Sequence, residues 1–569
     1  MISAIRAIAI DYDGTLTAGA RPEAEVLAAL REVRGRGLAV VLVTGRILSE
    51  LRADFPEVDG EFDAIVAENG TVLADADGIQ DLAEPVEPLL GRALAHREIP
   101  VRQGRVLLAC ETGHAGVVLE EITRLGLDCQ VVRNRGALMV LPGGATKGSG
   151  LAQALGNLGI SRHSTLAVGD AENDHHLLAT CELGVAVGDA VDALKQRADL
   201  VLDEPNGEGV AALLRGALLA GADRLPPAHW RLTLGHDTAG NPVEIPASQV
   251  NVLLTGGSCS GKSHLAGLLI EQLVRLDYSA LVIDREGDHR ALADRRGILT
   301  VGGPDPLPAV GHLVALLRHR FGTVVLDLSQ HDEATQQGYL RDIGPGLLVQ
   351  RAVTGLPHWI VFEEAHTLGV GLEPWAETLS GATGLCYSTY RPQALPPAAR
   401  RAVDLLVVTA GDGHGAPEAL QHVAETTGWP ADKLQELLGS RRGQALLVAD
   451  DGHAPTAFTV GRRATGHVRH WHKYIDATLP ERLRFYFCDH ERVAANLREF
   501  HRHLRACPAP TITQHARAHD FSRWIGDVLQ DTELARDIAL AEQRLLDGQQ
   551  PTETVRDTIQ HAIEHRYLE

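Results

Sequence analysis

Two short runs carry the residues from which chemistry is built. Asp11-Tyr12-Asp13-Gly14-Thr15 follows the apolar stretch 5–10, and Gly256-Gly257-Ser258-Cys259-Ser260-Gly261-Lys262-Ser263 follows the apolar stretch 250–255. Paired carboxylates two residues apart behind a buried strand suit a nucleophile and a proton donor for an ester. A glycine-rich loop between a strand and a helix offers backbone N–H groups, a lysine and a hydroxyl to a nucleoside triphosphate. Two phosphate chemistries are therefore expected on one chain.

The elements that must hold these residues are legible around them. Residues 5–10 and 38–43 read as buried parallel strands, joined by a helical pattern over 22–34. A further strand, 164–168, runs into Gly169-Asp170-Ala171-Glu172-Asn173-Asp174. In an open α/β sheet the reactive crevice lies beyond the carboxyl ends of the strands, where Asp11, Asp13, Thr44 and Asp170 all emerge. Crowded carboxylates there repel one another unless a cation and a lysine offset them, so a hard divalent cation is expected.

The ordered set of D-x-D-G-T, Thr44-Gly45-Arg46, Lys147 and G-D-x-x-N-D resembles the haloacid dehalogenase superfamily of phosphatases over about residues 1–222. The resemblance implies a Rossmann-like domain and an aspartyl-phosphate mechanism. It makes Asp11 the nucleophile, Asp13 the general acid and base, Thr44 a phosphate holder and Lys147 a charge neutraliser. Asp11, Asp13, Asp170 and Asp174 become the Mg²⁺ candidates, with Asn173 in support. Ala67-Glu68-Asn69-Gly70-Thr71 resembles the turn before the cap of Cof-type members, which makes about 84–140 a small α/β cap that selects the substrate. Arg102, Arg105, Glu111, Arg133 and Asn134 are its candidates for touching the leaving group.

For the second run, a linker is placed near 221–228, then a hairpin over 231–234 and 243–245, the strand 250–255 and a helix over 264–276. Downstream, the strand 359–362 ends in Glu363-Glu364, an acidic pair suited to ordering a Mg²⁺ shell and polarising the attacking water. With the strand 280–284 and Ser388-Thr389-Tyr390-Arg391-Pro392, these features resemble the ring-forming ATPases of the HerA and FtsK group over about 228–462. The resemblance implies ATP held by Gly256, Ser260, Gly261, Lys262 and Ser263, with Ser263 and Glu363 on Mg²⁺ and Glu364 as the catalytic carboxylate. It also implies a nucleotide contact from Arg391 and a homo-oligomeric ring, with a hexamer as one form. Two departures stand out: Glu363 replaces the usual aspartate, and Tyr390 replaces the usual sensor glutamine.

The 569 residues, 44% of them apolar, allow more than one core. The reading is an α/β multidomain chain: the phosphatase domain and cap, the P-loop ATPase domain, and a mainly helical domain over 466–569 with helices at 491–504, 520–529 and 532–546. The stretch 485–534 faintly resembles a small uncharacterised helical domain of bacterial proteins, expected to serve interaction or assembly. No run approaches the ~20 apolar residues of a bilayer span, and the chain enters its first strand without a basic leader, so no membrane and a cytoplasmic location are expected. The 7 cysteines show no C-x-x-C pair, which speaks against a disulfide framework or thiolate zinc site. A net charge of -21 excludes a generally basic nucleic-acid surface; the basic stretch 462–473 is the densest local exception. The leading function is a Mg²⁺-dependent phosphatase acting on a small phosphorylated substrate, coupled to an ATPase. The alternative is a nucleic-acid end-processing enzyme, or a DNA-translocating ATPase in repair or phage defence with the phosphatase as effector.

Overall fold

The computed structural model describes residues 5–19, 21–134, 136–257, 260–319, 322–368, 381–411, 415–449, 453–465, 475, 479, 481–488, 492–529 and 531–568. The first sheet has eight strands in the order Leu200–Val201, Leu183–Ala186, Thr165–Gly169, Ala7–Asp11, Ala39–Val43, Ala64–Ala67, Val72–Asp75 and Gly78–Asp81. The first six are parallel and the last two close it as antiparallel strands. Ala7–Asp11 is buried along its whole length, as an uninterrupted apolar run between two sheet neighbours must be. The helices Ala24–Gly35 and Asn206–Arg215 pack together beside it.

The cap inserted after this sheet is an antiparallel sheet ordered Arg102–Gln103, Leu108–Glu111, Ala137–Pro142, Cys129–Asn134, with helices Pro88–His96 and Ala115–Leu125. It has its own core, which includes Leu90, Leu94, Val118, Ile122 and Val140.

The second sheet has eleven strands. Seven parallel ones run Leu405–Thr409, Val252–Gly256, Leu385–Ser388, Trp359–Phe362, Ala280–Asp284, Thr323–Asp327, Ile298–Gly302. Gln444–Ala449, Thr456–Val460 and the hairpin Arg231–His236 with Pro242–Pro246 extend the other edge antiparallel. The helix Glu333–Thr354 continues through Pro345; Leu340, Ile343 and Leu347 anchor it to the core.

The C-terminal part contains the helices Leu497–Ala506, Ala509–Arg517, Asp520–Trp524, Thr532–Leu546 and Thr552–Ile563 around an aromatic core of Phe485, Phe487, Phe500, Phe521 and Trp524. The expected helix start at 491 is corrected. Val493–Ala494 pairs as a strand with Phe485–Tyr486, and Asn496 begins the helix by accepting the N–H of Glu499 on its side chain. Ile525–Leu529, expected as the end of the helix 520–529, is a π-helical turn. Most of the basic stretch 462–473 lies outside the described residues, as does Cys259. Among the described residues six cysteines are free, and no helix is long and apolar enough to cross a membrane.

The two sheets meet at the amino ends of their strands. Glu182, just before Leu183–Ala186, is fully buried and accepts hydrogen bonds from His163 Nδ1 (2.8 Å), from the Tyr278 hydroxyl (2.8 Å) and from Ser248. His163 Nε2 donates to the Leu276 carbonyl at 2.7 Å, and its ring stacks on Tyr278 at 3.6 Å. Both ring nitrogens of His163 are thus engaged, one by each sheet. Arg162 pairs with Asp277 at 2.8 Å. Arg6 caps the helix Glu333–Thr354 through the carbonyls of Arg351 and Ala352.

The connecting segment is fastened as well: Asp199 accepts the Ala228 N–H and pairs with His229. Burial works to raise Asp199, but hydrogen bonds from His229, Gly184 and Ala228 hold it below the ordinary 3.8. Burial likewise works to lower His229, yet the hydrogen bond and charge of Asp199 hold it above 6.5. The pair's stabilisation is therefore fully present only between these two unfolded-state values. It is lost as pH falls through the depressed Asp199 value or rises through the elevated His229 value. Thermal melting followed against pH is expected to show both limbs, and Asp199→Asn to flatten them; limbs that persist unchanged in the variant would refute the assignment.

Candidate functional site

Asp11 ends the central strand of the first sheet, is 2% exposed, and faces Lys147 Nζ at 2.5 Å. Lys147 opens the helix Lys147–Asn157, where Thr146 and Ser149 form a capping box. Its ammonium also donates to Asp174 at 2.7 Å. Asp174 turns its other oxygen to the N–H groups of Asp170 and Ala171, each at 3.0 Å, which folds the loop after Thr165–Gly169 back toward the strand end. Thr15 bridges the two loops, donating to Asp170 at 3.0 Å and lying 3.3 Å from Asp11. The sequence signal for Thr15 was its place directly after Gly14.

Carboxylate oxygens of Asp11, Asp170 and Asp174 lie within 4.8 Å of one another, all three residues buried. One lysine cannot balance three such charges. Burial first, then Asp174, push the Asp11 carboxyl well above its ordinary range despite Lys147. Burial works against the charge on Lys147, but Asp11 and Asp174 hold it firmly protonated. An all-oxygen, over-negative cluster of this kind fits a hard divalent cation such as Mg²⁺.

Asp13 stands apart from that cluster, which differs from its expected place among the metal candidates. Its carboxylate is held by the fork of Arg46, through Nε at 2.9 Å and Nη2 at 2.6 Å. Thr44 is fully buried at the end of Ala39–Val43, where its hydroxyl accepts the Arg46 N–H at 3.1 Å. Asn173 donates to Asn69 at 3.2 Å. Beyond Asp13 opens a cavity of about 310 Å³ between the core and the cap, lined among others by Arg46, Glu50, Arg102, Asn134 and Met139. Of the cap candidates, Arg102 and Asn134 are on this wall, while Arg105 is turned to Asp81.

The second constellation lies at the carboxyl ends of the second sheet. Gly256 closes its strand at φ +138°, and a Cβ there would stand 2.5 Å from the Thr409 hydroxyl. Gly261 precedes the helix Lys262–Arg275. Lys262 Nζ donates to the Gly257 carbonyl at 2.8 Å, and the Ser260 hydroxyl meets Thr409 at 2.5 Å. Ser263 takes the second position of that helix, its carbonyl 3.4 Å from Arg463 Nη1. Glu363 follows the strand Trp359–Phe362 and is bound by the buried His289 at 2.8 Å, a partner no motif announced. Enclosure and then the charge of Glu286 push the Glu364 carboxyl up to about 8. Tyr390 lies between Lys262, 6.0 Å from its ring centre, and Arg391, 4.9 Å from it.

Comparison with known proteins addresses the first site. Residues 8–84 and 119–214 match the profile of the haloacid dehalogenase-like hydrolase family. A phosphoglycolate phosphatase of Methanothermobacter thermautotrophicus is 32% identical over 217 residues, which is 37% of this chain and 98% of that protein. One from Methanopyrus kandleri is 33% identical over 224 residues, 37% of this chain and 95% of that protein. A solved haloacid dehalogenase-like hydrolase from Bacteroides thetaiotaomicron, 21% identical, covers 37% of this chain and 98% of its own length with a TM-score of 0.33. Through its N-terminal portion, the chain belongs to the haloacid dehalogenase-like hydrolases and carries a phosphatase domain of that superfamily.

Proposed function

We propose that the chain is a Mg²⁺-dependent phosphatase for a small, acidic phosphate monoester, joined to a HerA-like ATPase that works in a ring. The observation that carries the phosphatase half is the buried aspartate cluster bridged by Lys147, with Asp13 of the same loop lining a 310 Å³ cleft between core and cap. An Asp11 oxygen attacks phosphorus, the bond from phosphorus to the leaving oxygen breaks, and Asp13 supplies that oxygen with a proton. Water then attacks the aspartyl-phosphate, Asp13 takes its proton, and the bond from phosphorus to Asp11 breaks to release inorganic phosphate. Asp11, Asp170 and Asp174 would hold the Mg²⁺, which would supply charge neutralisation for the phosphoryl oxygens.

Arg46 supports an acidic leaving group. It grips Asp13 with both arms of its fork, and a carboxylate entering the cavity competes for that fork and frees Asp13 to carry a proton. The names of the relatives point the same way, since phosphoglycolate bears such a carboxylate. The test is phosphate release by the full chain from phosphoglycolate and from uncharged-alcohol esters, each with and without ATP and duplex DNA. Preference for the acidic ester supports this reading. Release confined to ATP and stimulated by DNA would instead favour a translocating motor with an accessory phosphatase fold.

Support for the ATPase half is the strand, loop and helix around Lys262, with Glu363 and Glu364 at a nearby strand end. Lys262→Ala is expected to lower ATP turnover about 100-fold or more by removing the charge that meets the β- and γ-phosphates, with ester hydrolysis in the absence of ATP unchanged. Undiminished ATP turnover in the variant, measured by coupled assay, would remove this half.

A further inference from the structure

Glu68 sits just past the strand Ala64–Ala67, fully buried, in the left-handed region at φ +52°. Its carboxylate accepts three successive backbone N–H groups of the cap: Arg105 at 2.9 Å, Val106 at 2.9 Å and Leu107 at 3.2 Å. These residues lead into the cap strand Leu108–Glu111. A buried carboxylate at a strained backbone position, satisfied entirely by another unit's main chain, is costly unless that geometry is needed. Gly104 permits the approach, since a Cβ there would lie 2.3 Å from the carboxylate.

The same short turn is tied to the reacting groups. The Glu68 N–H donates to the Arg46 carbonyl at 3.0 Å and the Asn69 N–H to the Thr44 carbonyl at 2.9 Å. Side chains follow suit: Val106 is buried in the core of the first sheet, while Leu107, Ala109 and Met139 of the cap close around Ile47. Glu68 is thus the point at which the cap is registered against the loop that carries Arg46. It does not line the cavity.

We propose that Glu68 is a positioning residue for the phosphatase reaction: by clamping residues 105–107 it sets the cap wall, with Arg102 and Asn134, at the distance from Asp13 that a small leaving group requires. The proposal rests on the phosphatase reading. A free carboxylate offers acceptors on both oxygens; an amide of the same shape turns an NH₂ toward one of the N–H groups.

The experiment uses the full chain with Glu68→Gln and Glu68→Asp. Amide hydrogen exchange resolved by mass spectrometry is expected to speed at least 10-fold over 105–107 in the glutamine variant, with the strand Ala7–Asp11 unchanged. For the preferred ester, KM is expected to rise about 10-fold with kcat lowered less, and the aspartate variant to recover part of the loss. Unchanged protection at 105–107, or loss of protection there with KM unaltered, would overturn the proposal. Loss of protection throughout the first sheet would make Glu68 a purely structural residue and overturn it as well. If the wild type hydrolyses no ester, the phosphatase reading fails on its own account, and unchanged exchange at 105–107 still decides against the clamp.

Discussion

Asp11→Asn is expected to reduce phosphate release from the preferred ester by at least about 1,000-fold, leaving ATP turnover within twofold. The amide keeps the shape of the side chain but has no anionic oxygen to attack phosphorus, so the covalent step is lost rather than slowed. The same variant is expected to melt higher than the wild type in chelator. The Asp11 carboxyl is raised well above its ordinary range in the fold, by burial first and by Asp174 next. A carboxyl raised in the folded state opposes folding at neutral pH, and that penalty disappears only as pH falls toward its unfolded value. A neutral amide removes it. Activity lost together with a gain in melting temperature is the signature of a reactive group held against its own stability. Ester hydrolysis surviving in the variant would overturn the assignment of the nucleophile.

Glu182→Ala is expected to cost on the order of 3 kcal/mol or more, because three groups around this buried carboxylate lose their hydrogen-bond partner at about 1–3 kcal/mol each. His163 would keep its contact with the Leu276 carbonyl, while its Nδ1 and the Tyr278 and Ser248 hydroxyls lose Glu182. Because these groups come from both sheets, the loss falls on their union rather than on either core. Calorimetry should therefore show the first and second sheets unfolding in one transition in the wild type and in two in the variant. Glu182→Gln, which keeps acceptor capacity but not charge, should lie between. A single transition in the alanine variant, at the wild-type temperature, would show that the junction contributes nothing.

What the sequence made legible follows a physical rule. Asp11, Thr44 and Asp170 could be placed because each ends an apolar run, and the carboxyl edge of a parallel sheet is where such ends converge. Asp13 was placed in that loop, but nothing in the spacing tells that its carboxylate meets the fork of Arg46. The cap was visible as an insert, yet its attachment through Glu68 to main-chain groups was not, because backbone donors have no letter in a sequence. The junction was hidden for a similar reason. His163, Glu182, Ser248 and Tyr278 precede strands instead of ending them, and they find one another across as many as 115 positions, as Arg162 finds Asp277. Near the C-terminus, Asn496 looked like part of a helix begun at 491, whereas its side chain starts one.

The back-to-back union of the two sheets has a consequence for traffic. The aspartate cluster and the Lys262 loop both lie at carboxyl edges, and it is the amino edges that are joined, so both constellations stand away from the junction. A bulky partner that docks beside one constellation therefore need not cover the other.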